Sequence, residues 1–207
     1  MTKDKSWGYG RKLKGKVIVG SRPYVPTVWE LERLYSGEVN RVIIPVDPQP
    51  EISRDEFIWV DGESFLSYGA QRRKTDVFCP LGHVGDTLWI RERWGTLPIY
   101  DKVLPKYLDK DVLRYFLVDG DVPGVMWRKA VALPKMFARL TLRIDSEEVF
   151  RASCIPDDHI NECGIKTKAA FRICWDRKYA GSELLFARNP IVWSIGVSRA
   201  EADAAKR

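Results

Sequence analysis

The run Cys79-Pro80-Leu81-Gly82-His83-Val84-Gly85-Asp86-Thr87-Leu88-Trp89-Ile90-Arg91-Glu92-Arg93-Trp94 places a carboxylate, guanidiniums and indoles directly behind a glycine-punctuated turn. An extended backbone over 87–94 puts Leu88, Ile90, Glu92 and Trp94 on one face, and Thr87, Trp89, Arg91 and Arg93 on the other. Glu92 therefore points with the apolar residues. A carboxylate in that position needs a cationic partner or takes a raised pKa, a condition shared by catalytic acids and structural ion pairs. Glu92 is the one candidate catalytic residue.

A second chemistry is anion and base binding. Arg91 and Arg93, with Arg139 and Arg143 from a later alternating stretch, offer planar forks that match phosphate. Trp127 and Arg128 stand beside Gly124 in a turn, Lys135 follows, and Arg41 comes after the first helix. Stacking of a base on an indole contributes about 1–3 kcal/mol, so this set suits single-stranded or flipped-out bases better than duplex. Trp89, Trp94, Trp175 and Trp193 read as core. Cys79 and His83 are spaced C-x3-H, and Cys154, His159 and Cys163 are spaced C-x4-H-x3-C; neither is a zinc pattern, so no metal is expected. Phosphate-loop, dinucleotide and nucleophile-elbow signatures are missing too, and no cofactor is expected.

The 207 residues fit one domain with elaborations, with 45% hydrophobic residues and a net charge of +6. Most of that charge lies in residues 1–20, a basic leader where six cations face only Asp4. The four widely spaced cysteines read as reduced thiols, and no apolar run is long enough for a membrane helix, so a cytoplasmic protein without a membrane partner is expected.

Thr27 is the expected N-cap of a helix over 28–35 closed by Gly37, followed by a strand over 41–45. Strands at 57–60 and 64–68 flank Asp61-Gly62, a hairpin signal, and Gln71, Arg72, Arg73 and Lys74 form a small basic cluster. Residues 98–124, broken by Pro98, Pro105 and Pro123 and rich in aspartate, read as an insertion. Ala138, Leu140, Leu142 and Ile144 alternate as a strand. Asp157 and Thr167 are expected to cap two short helices, the second with Phe171, Cys174, Trp175 and Lys178 at helical spacing. A last strand covers 191–197 and a polar tail 198–207. The pattern predicts an α+β domain around a small, mostly antiparallel sheet or barrel.

In this order, several stretches resemble the ASCH-domain proteins of tailed phages and prophages. They are Ser21-Arg22-Pro23, Ser36-Gly37, Arg41-Val42-Ile43-Ile44-Pro45, and the run from Cys79 to Glu92. Further on come Met126-Trp127-Arg128, the run from Leu133 through Lys135 and Arg139 to Leu142, and Ile160-Asn161-Glu162-Cys163-Gly164-Ile165. Phe171-Arg172-Ile173-Cys174-Trp175-Asp176 and Asn189-Pro190-Ile191-Val192-Trp193 complete the set. The resemblance spans most of residues 21–197. It implies a PUA-like β-barrel with flanking helices and a nucleic-acid role, usually with RNA. The ASCH hydrolases that act on acylated cytidine use a Lys and a Thr after the first helix together with a strand Glu. Here that element is Gly37-Glu38-Val39-Asn40-Arg41, with neither Lys nor Thr, and only Glu92 has a counterpart.

The expectation is a phage-encoded domain, in the host cytoplasm, that binds RNA or another single-stranded nucleic acid. Two rivals stand beside it: an amidohydrolase or ribonuclease using Glu92, with Lys74-Thr75 as a substitute pair, and a factor that engages a host defence or assembly protein through residues 98–124.

Overall fold

A computed structural model describes residues 20–47, 49 and 79–200, together with the strand backbone of short segments between residues 11 and 75. The elements in chain order are β1 (Arg11–Leu13), β2 (Lys16–Ile18), β3 (Ser21–Tyr24), α1 (Val28–Ser36), β4 (Arg41–Pro45), β5 (Phe57–Val60), β6 (Ser64–Ser67) and β7 (Arg73–Thr75). They continue with β8 (Thr87–Ile90), β9 (Trp94–Thr96), β10 (Arg114–Phe116), β11 (Thr141–Arg151), α2 (Asp157–Glu162), α3 (Lys168–Lys178) and β12 (Ile191–Arg199). The rest of the basic leader, the Asp61-Gly62 turn, Gln71 and Arg72, the side chains of Arg73, Lys74 and Thr75, and residues 201–207 lie outside the described residues. The strands on either side of the turn do pair antiparallel, with Val60 opposite Ser64.

The chain is α+β. Its main sheet runs β3-β8-β11-β12-β4, parallel between β3 and β8 and antiparallel elsewhere. β3 and β4 end this sheet, and no pairing among the described residues closes it into the expected barrel. Leu31 and Leu34 of α1 pack into the same cluster as Tyr24 of β3 and Val42 and Ile44 of β4.

Each face of the sheet buries an apolar layer. Leu88, Ile90, Leu142, Ile144, Trp193, Ile195 and Val197 face α1, whereas Ile43, Val192 and Phe150 face Ile160 of α2 and Phe171 and Trp175 of α3. β12, next to the middle of the sheet, is buried on both sides from Ile191 to Val197, which explains why its residues are apolar on both faces apart from Ser194 and Gly196. β11 is longer than the alternation predicted and begins later, because Lys135–Phe137 is a 3-10 turn. A bulge between Ile144 and Ser146 then re-aims its second half. Gly196 lies opposite Ser146, where a Cβ would come within 2.4 Å of the serine Oγ.

The single strand predicted over 87–94 is also corrected. The chain leaves the main sheet after Ile90 and re-pairs as β9 with β10, inside the segment expected to be an insertion. That segment is ordered: Pro98 and Pro105 open 3-10 turns, and Trp94, Leu108, Phe116, Leu133 and Phe137 form a separate small core. Asp157 is the first residue of α2 and does not cap it; Pro156 takes the cap position without a side-chain bond. Thr167 caps α3 as expected, accepting from the Ala170 N–H at 3.1 Å. No helix among the described residues is long and apolar enough to cross a membrane.

Thr27 and Glu30 form a reciprocal capping box on α1, and Gly37 closes the helix in the left-handed conformation. Because Leu31 and Leu34 of that helix belong to the core over this face of the main sheet, the cap supports the whole face. Thr27→Ala is expected to cost about 1 kcal/mol, read from thermal or denaturant unfolding. An unchanged midpoint would show that α1 is held by packing alone.

Candidate functional site

Glu92 sits where the chain crosses from β8 to β9, and it is 2% exposed. The Arg91 N–H donates to the Tyr24 carbonyl at 2.8 Å, so the crossover stays attached to the sheet edge while Glu92 turns inward. The Tyr35 hydroxyl, from the last turn of α1, donates to Oε1 at 2.6 Å. Arg139, just ahead of β11, donates from Nε to Oε1 at 3.0 Å and from Nη2 to Oε2 at 2.7 Å. This is the bidentate fork that makes a buried carboxylate tolerable. Burial and the Glu92 charge push the Tyr35 hydroxyl well above its usual range. Burial alone would lower the Arg139 pKa, but its bonds to Glu92 and Asp119 outweigh that and raise it. Both Glu92 oxygens are therefore engaged, and proton abstraction there would first have to break the fork.

Arg139 reaches past Glu92. Its Nη1 donates to Asp119 Oδ2 at 2.6 Å, and its guanidinium lies 3.8 Å from the Phe116 ring centroid and 5.1 Å from that of Tyr35. Beside it, an open groove of about 510 Å³ runs between Val112, Arg114 and Phe116 on one side and Met136, Phe137 and Arg139 on the other. Arg114 lies 4.6 Å over the Phe137 ring, so both arginines of the groove are backed by aromatic faces. The sequence reading missed Arg114 because the segment looked acidic and proline-broken. Its signal was the alternation Arg114-Tyr115-Phe116.

The other expected binding residues divide. Lys135 is exposed next to Met136 of the groove, and Arg93 is exposed, its carbonyl accepting from the Leu117 N–H at 3.0 Å beside the turn that carries Asp119. Arg91 stacks on Trp89 at 4.5 Å. The Trp127 indole N–H donates to Asp121 at 2.7 Å. Arg128 is a clamp: its Nη atoms donate to the carbonyls of Val103, Tyr100 and Asp101, at 2.9, 2.6 and 3.3 Å, and bind the 98–103 turns to β9. Arg143 is exposed and paired with Asp145. Arg41 belongs elsewhere. It is 8% exposed on the α2 face, bonded to Glu162, to Glu148 at 3.4 Å and to Ser194 Oγ at 3.2 Å.

Around Arg41, Ser194 Oγ lies 3.0 Å from His159 Nδ1, and His159 Nε2 lies 3.6 Å from Glu148. The order resembles a hydrolytic triad, but Ser194 is fully buried and Arg41 already donates to its Oγ, so no substrate reaches it. Burial and the Arg41 charge lower the His159 pKa, against the opposing pull of Glu148, Glu162 and Asp158. A third polar pair lies in the Cys79–Asp86 region. His83 Nδ1 is 3.2 Å from Glu147 Oε2, and the Glu147 side chain is 5% exposed with Oε1 lacking a partner. Burial pushes the Glu147 carboxyl up to about 7, against the opposing pull of His83. Among the described residues no group of three or more His, Cys, Asp or Glu is placed to hold a metal ion.

Comparisons with protein-family models, curated proteins and solved structures found no match for the chain.

Two outcomes test this geometry. Removing the fork with Arg139→Ala leaves Glu92 buried and uncompensated, a loss of about 3–5 kcal/mol, whereas the double variant Arg139→Met, Glu92→Leu is expected to recover most of it. If the single and double variants unfold at the same denaturant concentration, the pair does not carry the stability ascribed to it. The raised Glu147 pKa means that the fold holds this proton more tightly than the unfolded chain does. Its contribution is complete below about pH 4.5 and is lost as pH rises through about 7. Glu147→Gln is expected to flatten the fall in melting temperature over that window, and equal slopes would contradict the assignment.

Proposed function

We propose that this protein is a phage-type ASCH domain of the host cytoplasm that binds single-stranded nucleic acid, RNA before DNA, through the groove beside Arg139. The observation that carries the reading is the pair of aromatic-backed arginines, Arg139 on Phe116 and Arg114 on Phe137, lining one open groove of about 510 Å³. Guanidinium forks take phosphate oxygens, and Val112, Leu113 and Met136 offer an unstacked base an apolar surface beside them, with Asp111 also in the lining. Lys135, next in sequence to Met136 of the groove, and Arg93, whose carbonyl accepts from the Leu117 N–H next to Phe116, are exposed and add positive charge. A PUA-like barrel remains part of the proposal: the five-stranded mixed sheet, with α1 over one face and α2 and α3 over the other, supports it.

A second reading, a protein partner engaged through the 98–124 segment, is favoured by the exposed side chains of Ile99, Leu104, Tyr107 and Leu113 there. Leu113 lines the groove as well, so Ile99, Leu104 and Tyr107 are the residues that separate the two readings.

The test is fluorescence anisotropy of a labelled single-stranded RNA of about ten nucleotides across a salt series. Lys135→Ala and Arg93→Ala are each expected to weaken binding about threefold to tenfold and to reduce the salt slope by about one. Binding indifferent to salt, or unchanged in both variants, would remove the nucleic-acid reading. Leu104→Ser with Tyr107→Ser is expected to leave RNA affinity unchanged.

A further inference from the structure

Two carboxylates share the Arg139 guanidinium, and they are not equivalent. Glu92 is completely buried and takes the Nε and Nη2 edge, while the Asp119 side chain is 59% exposed and takes only Nη1, at 2.6 Å. The first is a permanent structural partner. The second is a carboxylate oxygen in water at the position and distance that a phosphate oxygen would take on the same N–H.

Asp119 closes the 3-10 turn Leu117–Asp119, which is tied to the sheet crossover through the Leu117 N–H and the Arg93 carbonyl. Gly120 follows at φ 126°, a conformation glycine adopts without strain, and Asp121 comes next. Asp121 accepts the indole N–H of Trp127 at 2.7 Å. So the aspartates on either side of one glycine accept from Nη1 of Arg139 and from the indole N–H of Trp127, two donors of the kind that bind phosphate or the edge of a base.

We propose that residues 119–121 are a built-in mimic of a nucleic-acid strand, in which Asp119 occupies Nη1 of Arg139 beside the open groove and is displaced when the ligand's phosphates bind. This rests on the single-stranded nucleic-acid reading above and adds to it a competitor within the chain. Displacement leaves the Glu92 fork intact, so opening the site does not expose a buried charge. The remaining Nη hydrogens of Arg139 take no acceptor among the described residues, which leaves donors for an incoming phosphate alongside the one Asp119 releases.

The test uses the full chain and the same labelled single-stranded RNA. Asp119→Asn and Asp121→Asn each remove a competing charge and are expected to tighten binding about fivefold, with Asp119→Asn the larger effect because it acts on a charged partner. Asp109→Asn is the control for net charge, being exposed and outside the groove, and is expected to change affinity less than twofold. If wild type binds RNA while Asp119→Asn and Asp121→Asn match Asp109→Asn or bind more weakly, the mimic is refuted and the nucleic-acid reading stands. If neither wild type nor any variant binds at low salt, that reading fails and the mimic fails with it.

Discussion

The structure depends on burying one carboxylate. Moving Glu92 out of water is unfavourable by several kcal/mol unless each oxygen is hydrogen-bonded and the charge is balanced. Satisfying it takes the Tyr35 hydroxyl from the end of α1 and the Arg139 fork from the turn before β11. Three segments far apart in sequence must therefore arrive together at the β8–β9 crossover. The end of α1, the turn into β11 and the crossover that leads towards residues 98–124 share this one contact.

From that contact the architecture divides in two. On one side lies the main sheet, with α1 over one face and α2 and α3 over the other. On the other lies the small core of Trp94, Leu108, Phe116, Leu133 and Phe137, clamped by Arg128 through the carbonyls of residues 100, 101 and 103. Arg139 stands at the boundary, with Glu92 on its buried edge and a solvent-facing groove on its other. A side chain in that position can hold the fold and bind a ligand, because its donors point in both directions.

Other polar clusters show the same economy without openness. Arg41, Glu148, Glu162, Ser194 and His159 satisfy one another under α2, and His83 covers Glu147 beside the Cys79–Asp86 turn. Each puts acid–base groups in contact. Ser194 is nevertheless fully buried and already bonded to Arg41, which is why geometry counts for more here than residue type.

Local pattern alone determined the α1 caps at Thr27 and Gly37, the inward direction of Glu92, the four core tryptophans and the stripe of α3, because each follows from a period or a capping rule acting over a few residues. The same pattern correctly warned that Glu92 needs a partner, yet it could not name Arg139 or Tyr35, which lie 47 and 57 residues away. Only the tertiary structure decided that Arg41 is buried apart from the groove, that Arg128 clamps backbone carbonyls, that Arg114 joins Arg139, and that the main sheet stays open. Those outcomes depend on which distant surfaces pack together, and side-chain alternation along one strand carries no information about the strand or helix that will face it.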